Sequence, residues 1–256
     1  MSFDHERRFG GVARLYGRAG AARLGAAHAV VVGIGGVGSW SAEALARTGV
    51  GKITLIDLDM VAESNANRQI HALDDVWGKA KVEAMAERIR AINPACQVHC
   101  IEDFVTPDNV EQLLADEFSV VIDAIDQVRA KVAMIAHCRR RLLPIVVAGA
   151  AGGQVDPTRV CISDLSQTVQ DPLLAKVRSQ LRREHGFPRD GKKFGVAAVY
   201  SSEPLRYPAA DTTCAVEPAS AGLNCAGFGS SVCVTAVFGM AAAGRAIELI
   251  TAAPTA

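Results

Sequence analysis

The chain has 256 residues, half of them hydrophobic, and its 27 basic and 27 acidic side chains cancel to a formal net charge of zero. That length supports a large core without covalent staples, and the neutral balance removes any global electrostatic pointer to nucleic acid. Seven scattered cysteines with no CxxC pair argue against a disulfide framework and a tetrathiolate zinc site, and fit a reducing, cytoplasmic setting.

In chain order, the first 23 residues carry Arg7, Arg8, Arg14, Arg18 and Arg23 but lack the apolar stretch a signal peptide needs, so export is not expected. Apolar runs of strand length then alternate with helical stretches up to residue 150, the pattern of βαβ units feeding a parallel sheet. Strands are predicted at Ala29–Val32, Lys52–Asp57, Gln97–Glu102, Phe118–Asp123 and Ile145–Ala148. Helices are predicted at Ser39–Thr48, Lys79–Ile92, Pro107–Ala115 and Val128–Arg141, each bounded by Gly, Pro, Asn or a short polar stop.

After Gly149 the regular winding stops. Gln154–Ser163 reads as the start of an antiparallel extension, Asp171–His185 as a charged helix, and Gly186–Ala226 as mostly loop with one strand at Val196–Ser201. A long irregular segment in a compact domain is usually functional or mobile. The nearly uncharged stretch Cys225–Gly244 is long enough to suggest a membrane span, but its glycines and small polar residues favour a helix buried in the core or between subunits.

The first strand runs into Gly33-Ile34-Gly35-Gly36-Val37-Gly38, with a helix opening at Ser39, so a GxGxxG pattern stands in the strand-turn-helix context it requires. Glycines let backbone approach phosphate closely, and the helix N-terminus adds oriented N–H groups and partial positive charge. Read blandly, the loop is only a tight turn. Asp57 lies at the end of the second strand, about 20 residues beyond the loop, where a carboxylate accepts from ribose hydroxyls; this suits NAD as readily as ATP. Asp59, then Asn67-Arg68-Gln69 and Gly78-Lys79-Ala80-Lys81, shift the choice. Attack on the α-phosphate of ATP needs fixed cations against the developing charge, and a hydride-transfer enzyme has no general need for Arg68 and Lys81. Asp123 and Asp126 close the fourth strand at the sheet's carboxyl edge, where one carboxylate suits magnesium on triphosphate oxygens. Asp126 is the first choice for metal and Asp123 the second; one of the pair also serves as a candidate cap for the helix at Val128.

These motifs, in this order and spacing, resemble the nucleotide site of the ubiquitin-activating-enzyme-like superfamily, which includes the sulfur-carrier adenylyltransferases. The resemblance implies that Gly35, Gly36 and Gly38 hold phosphates alongside Gly33, with Asp57 on the ribose. It further implies Arg68 and Lys81 on the polyphosphate, magnesium on Asp126, and a homodimer in which Arg14 or Arg8 reaches the partner's site. The sulfur-carrier enzymes carry two CxxC pairs, which this chain lacks. Longer stretches, RRFGGVARLYG from Arg7, NRQIHAL from Asn67, DFVTPDNV from Asp103, AGGQVDPT from Ala151 and FGSSVCVTAVFG from Phe228, resemble the tRNA threonylcarbamoyladenosine dehydratases.

That resemblance implies one adenylating Rossmann-like α/β domain over 1–256: a doubly wound, mainly parallel nucleotide-binding core (1–150) and an extension (151–256) supplying substrate and dimer loops. It implies ATP and magnesium, with potassium or sodium as a further cation, and tRNA bearing threonylcarbamoyladenosine as substrate. The threonine carboxylate is adenylated, and a ureido nitrogen of the same molecule closes a hydantoin ring, so high effective concentration replaces a protein nucleophile. Cys225 is a candidate accessory thiol, for a thioester or for sulfur from a cysteine desulfurase. Activation of a ubiquitin-like sulfur carrier is the alternative. Arg178 to Lys193 holds Arg182, Arg183, Lys192 and Lys193, candidate contacts to tRNA phosphates that also read as a solvated helix face. Among six histidines, only His71 lies near the site motifs.

Overall fold

The computed structural model describes residues 4–115, 117–207 and 228–252. Cys225 and most of the segment following Tyr207 lie outside the described residues. A seven-stranded sheet forms the frame: β1 (His28–Val32), β2 (Lys52–Ile56), β3 (Gln97–Ile101), β4 (Val120–Asp123), β5 (Ile145–Ala148), β6 (Val160–Asp164) and β7 (Ala197–Ser201). They lie in the order β3-β2-β1-β4-β5-β7-β6. All pairs are parallel except β6–β7. The antiparallel extension is therefore present, and it continues the same sheet. The chain reverses between β1 and β4, the switch point at which doubly wound sheets bind ligands.

The central strands are mostly apolar because both faces are covered. In β1, Ala29 and Val31 join one core cluster while Val30 and Val32 join the other. The first cluster holds α2 (Gly38–Arg47), α3 (Lys81–Ile92) and α7 (Val232–Ala252) against the sheet; the second holds α5 (Val128–Arg141) and α6 (Pro172–Glu184).

Three differences from the sequence reading have identifiable physical causes. A 22-residue helix, α1 (His5–Ala26), was not predicted; its N-cap Asp4 accepts from the Arg7 N–H, and it bends at Gly17, where φ is +74°. Five glycines hide its periodicity, and packing against α7 holds it. α3 begins at Lys81, not Lys79, because Ala80 makes a β-bridge with Met60. α4 shortens to Val110–Leu113, its entry shaped by Thr106 and Asn109, which exchange side-chain hydrogen bonds with each other's backbone N–H.

α7 is long and apolar enough to cross a membrane by length and composition, but half of its most apolar window is buried in the fold. It crosses α2 at contact distance: a Cβ on Gly239 would lie 2.4 Å from the Val37 carbonyl oxygen, and Ser41 Oγ donates to the Gly239 carbonyl at 3.0 Å. The expectation of a core helix holds for the described residues of this segment.

Candidate nucleotide site

A cavity of about 590 Å³ opens at the carboxyl edge of the sheet, over the switch point. Its floor is the loop between β1 and α2. Gly33 adopts φ +86°, a conformation L side chains rarely take, and a Cβ there would meet Ile125 at 2.8 Å. A Cβ on Gly38 would sit 1.8 Å from the Gly33 carbonyl oxygen, so this glycine closes the turn on itself. Gly35 differs: a Cβ there would meet no atom within 4 Å, so its backbone faces open space in the cavity wall. Among the loop glycines, Gly33 and Gly38 are thus required by the fold, whereas the missing side chain of Gly35 leaves room for a ligand.

Asp57 ties this loop to β2. Its Oδ2 accepts from the Ile34 N–H at 2.6 Å and its Oδ1 from the Asp59 N–H at 2.8 Å. Burial raises its pKa, opposed by the charge of Lys81 and by these two hydrogen bonds. A carboxylate has about four lone-pair sites, so both oxygens keep acceptor capacity. Lys81, nearly buried at the start of α3, donates to Asp59 Oδ2 at 2.6 Å.

Arg68 lies across the loop, its stem 3.1 Å from where a Gly36 Cβ would be. Its guanidinium donates to the Ser64 carbonyl and to Asn67 Oδ1, both at 2.9 Å, while its own carbonyl accepts from Trp40 Nε1. Burial lowers its pKa. Asn67 is exposed and donates to the Ser230 carbonyl, joining this segment to the entry of α7. Gln69 and Thr235 line the cavity, and each carries a buried oxygen with no hydrogen-bond partner. Buried polar atoms of this kind are expected to find partners, so they mark where a polar ligand fits.

The two strand-end aspartates separate. Asp126 lines the cavity. Asp123 points into the interior, where its Oδ1 pairs with Lys131 Nζ at 2.7 Å and accepts from the Ile125 N–H at 3.2 Å; both side chains of the pair are 0% exposed. Asp123 is thus absent from the cavity wall and braces the loop that carries Asp126. Lys131 was missed in the sequence, although its spacing from Val128 and Ile135 puts it on the apolar face of α5.

Other expected residues fall elsewhere. His71 is 3% exposed with both ring nitrogens unpartnered, and it is not on the cavity wall. Burial and the nearby cations Lys81 and Arg88 push its pKa down to about 4. Arg8 is engaged by the Ala91 and Ile92 carbonyls at the end of α3, whereas Arg14 is exposed on α1. Arg182 stacks over the Phe194 ring at 5.2 Å and donates to the Pro188 carbonyl. Arg183 is exposed and pairs with Glu184; Lys192 and Lys193 are exposed in the loop before β7. The rest of the wall comes from Asp103–Val105 after β3, Gly149–Gly152 after β5, and Tyr207 and Phe228, whose rings lie 5.2 Å apart. Three of the family-like stretches, those from Asp103, Ala151 and Phe228, contain parts of this wall, the only signal for it in the sequence.

A glycine cradle, the carboxylates of Asp57 and Asp126, and converging Arg68 and Lys81 at the switch point define a nucleotide-binding α/β enzyme. Residues 9–256 match the ThiF family, and the chain belongs to it. It is 54% identical to the tRNA threonylcarbamoyladenosine dehydratase of Escherichia coli (strain K12), over 96% of this chain and 94% of that protein. The Haemophilus influenzae dehydratase of the same name is 49% identical over the same shares. The fold superposes on the crystal structure of the E. coli tRNA N6-threonylcarbamoyladenosine dehydratase in complex with ATP with a TM-score of 0.87, at 52% identity over 96% of this chain and 95% of that one.

Proposed function

We propose that the chain is an ATP-dependent tRNA threonylcarbamoyladenosine dehydratase. The observation that carries this reading is the cavity itself, where the open Gly35 backbone, Arg68, Lys81 and Asp126 converge in a chain 54% identical to the E. coli enzyme. The threonine carboxylate attacks the α-phosphorus of ATP and pyrophosphate leaves. A ureido nitrogen of the same substrate then attacks the acyl carbon and AMP leaves, closing the hydantoin with net loss of one water. Intramolecular attack supplies the nucleophile at high effective concentration.

In this reading the loop backbone and the N-terminus of α2 hold phosphates, and Asp57 accepts from the ribose while fixing the loop. Arg68 and Lys81 offset charge on the phosphoryl oxygens and the departing pyrophosphate. Asp126 is the proposed magnesium ligand; one carboxylate from the cavity wall suffices for that ion, which keeps waters and phosphate oxygens as its other ligands and would neutralise polyphosphate charge. A homodimer whose exposed Arg14 enters the partner's cavity, a monovalent cation, an accessory role for Cys225 with a sulfur-donating partner, and a cytoplasmic location belong to the same proposal.

Incubation with ATP, magnesium and tRNA carrying threonylcarbamoyladenosine tests it, read by nucleoside mass spectrometry and AMP release. Loss of one water from the modified nucleoside together with AMP is expected. AMP formed only with a ubiquitin-like sulfur-carrier protein, or no AMP with either substrate, would overturn it.

A further inference from the structure

A second, shallower cavity of about 360 Å³ lies between α5 and α6, lined by Val128, Arg129, Lys176, Ser179, Gln180 and Arg183. Its three charged residues are all cations. Arg129 and Lys176 are exposed and have no ion-pair partner among the described residues, while Arg183 pairs only with its neighbour Glu184. Ser179 and Gln180 add neutral hydrogen-bonding groups between them.

The position of this groove gives the charge its meaning. Gln127 lines the nucleotide cavity, and Val128 and Arg129, the next residues in the chain, line the groove. Pro172, at the start of α6, lines the nucleotide cavity, and Lys176, one turn further on the same helix, lines the groove. Two helices therefore leave the rim of the nucleotide site and carry a cationic trough away from it. A polyanion with one residue in the cavity would have its flanking backbone laid along these side chains. Unpaired Lys and Arg at a groove are what phosphate backbones exploit through counterion release.

We infer that the α5–α6 groove binds the phosphate backbone of the substrate RNA flanking the reacting nucleoside, with Arg129 and Lys176 as the principal contacts. This rests on the function proposed above. It moves the RNA path from Arg182, which is occupied by Phe194, to the face beside the cavity.

The test is fluorescence anisotropy with an anticodon stem-loop RNA bearing threonylcarbamoyladenosine, across about 50 to 200 mM salt, on the full chain. The Arg129→Ser/Lys176→Ser variant should reduce the slope of log affinity against log salt by about 1.4–1.8, so wild-type affinity falls roughly seven- to twelvefold more across that range. ATP affinity should not change. Arg129→Lys/Lys176→Arg should restore the slope, and Lys52→Ser/Arg90→Ser, which removes two cations from the opposite edge of the sheet, should leave it intact. Wild-type conversion of tRNA with an unaltered slope in the serine variant would refute the groove alone. A wild-type protein that neither binds nor converts tRNA would refute the proposed function and the groove with it. Competition by polyglutamate as effective as by RNA of equal charge would assign the groove to acidic protein and overturn the RNA reading.

Discussion

Replacement of Lys131 by methionine isolates the ion pair beneath the nucleotide site. Lys131 and Asp123 are both 0% exposed and 2.7 Å apart, and Asp123 Oδ2 has no partner. Methionine fills a similar volume and leaves the carboxylate without its counter-charge. Breaking a buried pair from one side costs about 3–5 kcal/mol, because the surviving charge stays desolvated. For a chain of this size that corresponds to a melting temperature lower by roughly 6–20 °C at neutral pH. Burial already raises the Asp123 pKa, and Lys131 is the main opposing influence, so the variant's carboxyl should take up a proton more readily still. A group whose folded pKa lies above its unfolded value gains stability as pH falls through that folded pKa, until the unfolded pKa is reached. The deficit of Lys131→Met should therefore shrink on mild acidification, and Lys131→Met/Asp123→Asn should recover most of it at neutral pH. Urea unfolding followed by tryptophan fluorescence, with Trp40 reporting beside Arg68, measures all three proteins. A Lys131→Met protein within about 1 kcal/mol of wild type, or a double variant no better than the single, would refute the reasoning.

Two glycines of one loop should behave oppositely. Gly35→Ala meets nothing within 4 Å and should fold with near wild-type stability while losing ATP affinity by calorimetry; Gly38→Ala meets the Gly33 carbonyl at 1.8 Å and should lose stability first. Arg68→Ala and Lys81→Met should each lower the rate of AMP formation by about 10²–10³; rates within threefold of wild type would remove them from the chemistry. His71, with its pKa lowered to about 4, stays neutral in the fold while the unfolded ring protonates near pH 6.5. Its contribution should destabilise progressively as pH falls from about 6.5 to about 4, by about 3 kcal/mol in total, and then level off. Relative to His71→Gln, the wild-type stability curve should drop across that window, and parallel curves would disprove the burial argument.

The central strands were legible because parallel strands covered on both faces read as unbroken apolar runs, as in Ala29–Val32. The glycine loop between β1 and α2 was legible because its glycines answer local steric demands. What escaped was set by tertiary contact. The glycine-rich α1 has little intrinsic helicity and depends on α7. Asp123 and Asp126, three positions apart, carry no local sign of which faces the cavity; a buried lysine on α5 makes the distinction. Arg182 and Arg183 adjoin in sequence, yet one caps an aromatic ring and the other lines a groove. No period in the sequence encodes that difference.

The crossing of α7 over α2 has a bearing on biosynthesis. Thr235 and Ser230 line a cavity whose floor is the first loop of the fold, and Gly239 seats against the Val37 carbonyl in that same loop. Every strand of the sheet precedes α7 in the chain. During translation at about 5–20 residues per second, the nascent β1–α2 face is left uncovered for several seconds after β7 is made. A growing chain therefore carries its glycine loop early but completes the pocket around it late, and an apolar flank stays open to chaperones until the helix seats.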